Sequence, residues 1–405
     1  MWRRAIAGLL SGVLISFSFL PAVHASTVGT KCERPGEIRS AEKLICTKLG
    51  RDVTWKTFEP RYGPTGLFIY RYVNGKQQRK DVEDTWQSGD PRSSKTFDPI
   101  RMAAFKSINS LPKDPNITNF KLDFLVRPGY PKAIENAVRL QLNNVLSRFS
   151  RLLDQPTTAK IILITEKDRL WVRNDLPKIV PPNEYGGYIF ALDSYGTKEG
   201  FYSYAGTGGG IAGYPPADGF AFYISHTSSL ATLETYWPEV VPHESAHMLQ
   251  GILSGGFEGQ FPEGHPEAKW HGHLIEGSAN TLGMALGFEN VGWYSDEMDR
   301  IFKSDIQTYK NVTNLNSVSD TVAFIKRIEM RSTEESNAFS YSAGQIVWEY
   351  FIGKYGIEKF LKLLRNVNQT QNFNQNLIKT IGKDREGFYR EAAGYLLRTW
   401  KRLST

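Results

Sequence analysis

The stretch VVPHESAHMLQG, residues 240–251, carries two of the chain's seven histidines. His243 and His247 are four residues apart, so an α-helix would place both on one face, a single turn from each other. Two imidazoles in this arrangement can bind one zinc ion, and the adjacent Glu244 can take a proton from an activated water and pass it to a leaving amine. The stretch therefore predicts a zinc centre with its own general base.

The residues around the two histidines favour an interior helix. Pro242 stands near the start, where a helix tolerates proline. Gly251 and then the pair Gly255-Gly256 are candidate stops. The apolar side of the predicted helix is formed by Val240, Val241, Ala246 and Leu249.

The third metal ligand has to come from elsewhere in the chain. A metzincin signature would continue with glycine and histidine, and Gln250 and Leu253 stand at those positions. The segment HLIEGSANTLG, 273–283, offers Glu276, which lies 29 residues after His247 in a helical pattern. Asn280, one helical turn further on, is predicted to accept a hydrogen bond from a liganding imidazole.

HESAH together with EGSAN resembles the gluzincin zinc metallopeptidases, the group that includes thermolysin and aminopeptidase N. The resemblance implies that His243, His247 and Glu276 bind Zn²⁺ and that Glu244 is the catalytic base. It also implies a metallopeptidase domain with a small strand-rich upper part, an active-site helix and a mostly helical C-terminal part. Members often carry aspartate where this chain has Asn280, and a neutral amide polarises an imidazole less than a carboxylate does.

A second likeness to the aminopeptidase N type lies in FSYSAGQIVWEYFIGKYG, 339–356. Those enzymes carry a tyrosine followed three residues later by glycine at a helix start, which Tyr341 and Gly344 match. The resemblance implies that the Tyr341 hydroxyl stabilises the oxyanion of the tetrahedral intermediate. A core tyrosine remains the alternative.

The peptide-end motif of the aminopeptidases, G-x-M-E-N, does not precede HESAH. No acidic group is therefore assigned to a free amino terminus, and an endopeptidase is favoured. The apolar segment GFAFYISH, 219–226, is predicted to be a strand that could pair with an extended substrate.

Secondary-structure patterns predict an α+β fold, because strands come before a long helical region. Apolar spacing predicts a helix over 131–153, and the branched run KIILIT, 160–165, predicts a buried strand. From about residue 272 onward the pattern is mostly helical.

The chain divides into four expected parts. Residues 1–25 have the basic start, apolar run and small residues before Ser26 that mark a secretory signal peptide. Residues 26–58 form a small module that a Cys32–Cys46 disulfide would close. Residues 59–98 are a polar linker with one short hairpin at 66–76, and 99–405 form the metallopeptidase-like domain.

Charge and composition limit the classes of partner that are expected. Removal of residues 1–25 takes away Arg3 and Arg4 and lowers the formal net charge from +7 to +5, which suits loose association with an anionic cell envelope. No basic and aromatic motif of a nucleic-acid binder is present. A peptide or protein substrate is expected, and the oligomeric state stays open.

The remaining histidines are given lesser roles. His226 is expected to be structural at a strand end, and His24 leaves with the signal peptide. The three histidines between the two ligand segments are expected in loops or at the surface: His265, His271 and His273.

Two other functions stay open. One is a non-catalytic envelope-binding protein that keeps zinc for structure. The other is a zinc hydrolase of a non-peptide amide in the cell wall. Glu244 argues against the first, because a structural zinc site needs no base and closes with a fourth protein ligand.

Overall fold

The computed structural model of the chain describes residues 30–31, 38–39, 44–49, 52–57, 68–73, 76–81, 87–88, 97–130, 132–178, 201–207, 219–225, 239–257, 260–288, 290–370 and 372–404. The expected signal peptide, including His24, lies outside them, as does His226. Cys46 lies in a described strand, but Cys32 does not, so their disulfide stays a prediction.

Short antiparallel strands occupy the described parts of residues 38–88. The first sheet has the order β1 (Ile38–Arg39), β2 (Leu44–Leu49), β3 (Asp52–Thr57), and the second has the order β4 (Phe68–Val73), β5 (Lys76–Asp81), β6 (Gln87–Ser88). Val73 pairs with Lys76, and the Asn-Gly between them is the dipeptide that two-residue hairpins prefer. The predicted hairpin is confirmed. The second sheet also contains β6, which the sequence pattern does not predict in the linker. A strand pairs through its backbone, so it can form without an apolar pattern that would reveal it in the sequence.

A mixed four-stranded sheet lies ahead of the metal-binding segments. Its order is β7 (Phe120–Val126), β8 (Thr157–Thr165), β10 (Gly219–Ser225), β9 (Phe201–Thr207). The first three strands are parallel, and β9 runs antiparallel to β10. The predicted strands at 160–165 and 219–226 are confirmed within a few residues.

The position of β10 corrects one expectation about the substrate. This strand pairs with β8 on one side and with β9 on the other, so its backbone groups are already used. It cannot accept an extended peptide by edge addition. Among the described strands of this sheet, β7 and β9 form the edges.

The helices α1 to α11 provide most of the described structure, and the fold is of the α+β class. They are α1 (Pro99–Asn109), α2 (Lys132–Phe149), α3 (Arg169–Asn174), α4 (Val240–Ser254), α5 (Ser278–Gly287), α6 (Val291–Tyr309), α7 (Val318–Arg327), α8 (Glu334–Tyr355), α9 (Ile357–Thr370), α10 (Phe373–Ile381) and α11 (Arg385–Leu403). In α2, the side chains of Val138, Leu142, Val145, Leu146 and Phe149 are fully buried, as the predicted spacing requires.

Of the helices in the described residues, three come before or between the strands of the mixed sheet, which departs from the expected order of strands first and helices after. The α2 helix connects the parallel strands β7 and β8, and a crossover of this kind requires a connection of such length. Among the described residues, no helix has both the length and the apolar character of a membrane span.

The centre of the helical part is α8, which packs against α1, α5, α6, α9 and α11. Buried residues lie on all of its faces, as expected for a helix inside a core. Its buried Glu349 accepts hydrogen bonds from Arg101 of α1, from Tyr294 of α6 and from Tyr395 of α11. These hydrogen bonds compensate for the loss of water around the buried carboxylate. Through them, Glu349 joins three helices to α8.

Two glycines allow α8 to approach the turn before α5. The residues His273–Gly277 form a π-helical turn, and α5 continues from it. A Cβ atom at Gly277 would lie 2.6 Å from Gly344 Cα and 2.8 Å from Gln345 N, closer than packed atoms can be. The backbones of the two segments are therefore in direct contact.

Gly277→Ala should destabilise the metal-free protein by about 1–3 kcal/mol, because its methyl group meets backbone that cannot rotate away. Gly394→Ala in α11 is the matched control, since the nearest atom to its new methyl would be a flexible arginine nitrogen at 3.9 Å. It should stabilise by up to about 1 kcal/mol through helix propensity. Urea unfolding in the presence of a chelator measures both. Equal effects would show that the close contact does not constrain the fold.

Candidate metal centre

The histidines of HESAH lie on α4, as the sequence predicts. The helix runs through Gly251 and ends at Gly255, whose φ of 75° gives the left-handed cap that only glycine adopts easily. Of the two candidate stops, Gly255 is the real one. The α4 helix packs against α5, and its two histidines face Glu276 of the π-helical turn.

Three ligand atoms converge at this point. His243 Nε2 and His247 Nε2 are 3.0 Å apart, and Glu276 Oε2 is 3.3 Å from His247 Nε2 and 3.7 Å from His243 Nε2. Ligand atoms about 2.0–2.1 Å from a tetrahedral zinc ion would lie roughly 3.4 Å from one another. The donor set and its spacing therefore fit zinc. No other group of three such side chains meets the same distance limit among the described residues.

Glu276 reaches the histidines from the π-helical turn. Such turns are short and occur often at functional sites, because the extra residue shifts the direction of the side chains. Here the turn is fixed by the contact between Gly277 and Gly344. The placement of Glu276 thus depends on α8 as well as on the segment that carries it.

Gln250 orients His247. Its Oε1 lies 2.9 Å from His247 Nδ1, and its Nε2 donates to Ile275 O at 2.9 Å and to Ser278 Oγ at 2.8 Å. Because an amide oxygen can only accept, His247 Nδ1 carries the proton and Nε2 is the nitrogen left for a metal. The same side chain ties α4 to the π-helical turn.

Asn280 lies beside the other histidine. Its side chain is hydrogen-bonded to His243, and its Nδ2 donates to Gln345 Oε1 at 3.3 Å. Gln345 in turn donates to Met298 O at 2.9 Å. This chain of amides links His243 to α8 and α6, so both histidines have a neutral amide partner.

Arg331 binds the face of Glu276 that the histidines leave open. Its Nη1 is 2.5 Å from Glu276 Oε1, and its Nε and Nη2 are 2.8 Å and 2.6 Å from the two oxygens of Glu263. The Glu276 carboxylate therefore has one oxygen on the arginine and the other toward the histidines.

Burial and charge together set the protonation of the ligands. Burial and the charge of His247 lower the pKa of His243 to about 3. Burial would also lower the pKa of His247, but the Glu276 carboxylate raises it to about 9. Burial would raise the pKa of Glu276, whereas the charges of His247, His243 and Arg331 lower it to about 2. At neutral pH, the metal-free ligands hold one titratable proton, on His247.

Glu244 and Tyr341 both lie close to the ligands. Glu244 is buried on α4, and its charge acts on His247 and on Tyr341. The Tyr341 ring is nearly parallel to that of His243, with 6.2 Å between centroids, and its hydroxyl is near enough to Glu276 for that carboxylate to act on its pKa. Burial and then the Glu276 charge raise the pKa of Tyr341.

The expectation of a loop or surface position is wrong for His273, which lies in the π-helical turn and is fully buried. His271 lies in a loop before that turn, as expected, but it is fully buried as well. His273 Nδ1 accepts from Trp348 Nε1 at 3.2 Å, and its Nε2 lies 2.8 Å from the Tyr389 hydroxyl. Both ring nitrogens of His273 are thus used within the core. His265 is half-buried, stacked on Phe261 with 4.3 Å between centroids.

Two contacts of the centre were not predicted from the sequence. Gln250 stands three residues after His247, so helical spacing could have predicted its contact with that ring. Arg331 lies 55 residues from Glu276, in the segment between α7 and α8, and no local pattern marks it.

The chain matches no protein-family model, and it matches neither a curated protein nor a solved structure. The resemblance to gluzincins thus stays a resemblance of short motifs. What the centre does must be inferred from its own residues.

Zinc binding at pH 6 should release about one proton, because a metal ligand must be unprotonated and only His247 carries a titratable proton. At this pH a zinc-bound water, with a pKa of about 7, adds little to the count. Because the pKa of His247 is raised to about 9, rising pH removes the competing proton, and affinity should grow roughly tenfold per pH unit between about pH 5 and pH 6. Calorimetric titrations in buffers of different ionisation enthalpy count the protons. A count of zero or of two at pH 6 would contradict this protonation pattern.

Proposed function

We propose that the protein is a secreted zinc-dependent peptidase, with peptide bonds inside a chain preferred over those at its ends. The observation that supports it most directly is the convergence of His243, His247 and Glu276 at zinc-like separations beside Glu244. Bound there, zinc would polarise the scissile carbonyl and lower the pKa of the attacking water to about 7. A gluzincin-type domain over residues 99–405 is part of the proposal.

Glu244 is the proposed general base. It follows His243 on α4, and its carboxylate is near enough to His247 to act on the pKa of that ring. It would accept a proton from the attacking water and donate it to the departing amine. A structural zinc site has no use for such a group, which is why a catalytic function is preferred.

Tyr341 is the proposed oxyanion donor. Its raised pKa keeps the hydroxyl protonated at neutral pH, so the group can donate a hydrogen bond to developing negative charge. In the structure, this hydroxyl lies near the Glu276 carboxylate, whose charge adds to the rise in its pKa.

Two features support internal cleavage. The sequence before HESAH lacks the G-x-M-E-N motif that holds a free amino terminus. Arg331 donates from each of its three nitrogens to a carboxylate of the chain, either Glu263 or Glu276. Its charge is therefore already balanced, and it is not needed to bind the carboxyl terminus of a substrate. An extended peptide could pair with the edge strand β9, which packs against α4.

The proposed location and the N-terminal parts rest on the sequence. The pattern of residues 1–25 supports secretion, and an oxidising compartment would allow the Cys32–Cys46 disulfide in the module 26–58. The net charge of +5 on the processed chain supports loose association with an anionic envelope.

Glu244→Gln should lower the rate of peptide hydrolysis by about 10²–10⁴-fold and leave the bound zinc unchanged, because the amide keeps the shape of the side chain but cannot accept the proton. The matched control is Glu267→Gln, an exposed glutamate in the segment between the two ligand groups, which should keep the wild-type rate. Metal analysis and hydrolysis of a mixed peptide library, read by mass spectrometry, measure both effects.

The pattern of the cuts decides between the functions. Internal cuts made by the wild type and lost in Glu244→Gln support the endopeptidase. Stepwise trimming from the amino terminus would instead assign an aminopeptidase. Stoichiometric zinc without any cleavage would reject the peptidase and favour a non-peptide amide substrate or a binding protein.

Tyr341→Phe should lower kcat by about 10²-fold with a smaller change in KM, because the lost hydrogen bond forms in the transition state. Tyr130→Phe is the control, since that buried hydroxyl has no hydrogen-bond partner among the described residues. Steady-state kinetics on one peptide cut by the wild type separates the two constants. An unchanged kcat would make Tyr341 a packing residue.

A further inference from the structure

We propose that Arg331 is a positioning residue of the metal centre: it holds Oε1 of Glu276, so that Oε2 alone faces the two histidines. The inference rests on the metal site of the proposed function and adds to it the group that fixes the geometry of the carboxylate ligand. It does not depend on which bond the protein cleaves.

The carboxylate needs such a group. A carboxylate can bind a metal through one oxygen or through both, and the number of oxygens changes how many positions remain for water and substrate. With Arg331 Nη1 at 2.5 Å from Oε1, that oxygen is committed to a charge-assisted hydrogen bond. Oε2, at 3.3 Å from His247 Nε2 and 3.7 Å from His243 Nε2, is the one left for the metal.

Glu263 holds the arginine in place. Its two oxygens accept from Arg331 Nε and Nη2 at 2.8 Å and 2.6 Å, a paired geometry that fixes the plane of the guanidinium. It also balances the positive charge, which would otherwise stand beside the metal. Glu263 thus holds Arg331, Arg331 holds Glu276, and Glu276 would bind the metal.

The backbone is shaped to deliver this side chain. Arg331 has a φ of 45°, a left-handed conformation that is strained for a residue with a Cβ atom. Its aliphatic part crosses Gly272, where an added Cβ atom would lie 2.8 Å from Arg331 Cδ. Gly272 N donates to Glu329 O at 2.8 Å, which keeps the two segments together. The strained backbone directs the Arg331 side chain toward Glu276, and the absence of a side chain at Gly272 leaves the space that it passes through.

Arg331→Met should weaken Zn²⁺ and Co²⁺ binding by roughly 10- to 100-fold, because Glu276 loses the group that orients it. Arg331→Lys should recover part of the loss, since one ammonium can reach Glu276 but cannot also pair with both oxygens of Glu263. Affinity is measured by competition with a chromophoric chelator. The visible spectrum of the Co²⁺ protein reports whether the ligand geometry has changed, which a loss of stability alone would not alter.

Gly272→Ala tests the same contact without changing any charge. Its methyl group should displace the Arg331 side chain and weaken metal binding in the same direction. Arg327→Met is the matched control: it removes an arginine that pairs with Glu335 at 2.7 Å, away from the three ligands, and should leave metal affinity unchanged. Circular dichroism confirms that each variant is folded before metal is added.

The outcomes separate this inference from the proposed function. Wild-type affinity and an unchanged Co²⁺ spectrum in folded Arg331→Met or Gly272→Ala would overturn the positioning role while the metal site stood. A wild-type protein that binds neither ion would overturn both. Binding that weakens as expected in a protein without peptidase activity would uphold the role of Arg331 and reject only the peptidase.

Discussion

The burial of one ionised carboxylate constrains the whole centre. Glu276 is only 8% exposed, and a charge in such a place is stable only when opposite charges and hydrogen-bond donors surround it. Arg331 meets one oxygen, and the imidazoles of His243 and His247 meet the other. These partners come from α4 and from the segment before α8, so a local motif alone cannot build the site.

The rest of the fold brings those partners together. Gln250 ties α4 to the π-helical turn, and Asn280 and Gln345 tie His243 to α8. The α8 helix can approach because Gly277 and Gly344 place backbone against backbone. Amide side chains therefore connect the elements that carry the ligands.

The sequence predicts the parts of the centre that depend on local spacing. His243, Glu244 and His247 follow from one helical turn, and Glu276 follows from a second helical segment with a carboxylate at a suitable position. Arg331 could not be predicted, because its contact spans 55 residues and its backbone is strained. His273 was misplaced for the same reason: Trp348 and Tyr389, far along the chain, supply the polar contacts that allow it to be buried.

The position of Tyr341 connects the architecture to the proposed chemistry. Burial, which makes the ionised form of Glu276 energetically costly, also raises the pKa of Tyr341, and the charge of the Glu276 carboxylate raises it further. A tyrosine in this environment stays a hydrogen-bond donor across the physiological pH range. The charge of Arg331, which contacts the same carboxylate, acts in the opposite direction and lowers the pKa of Tyr341. Burial and the Glu276 charge outweigh it, so the hydroxyl keeps its proton for the role proposed above.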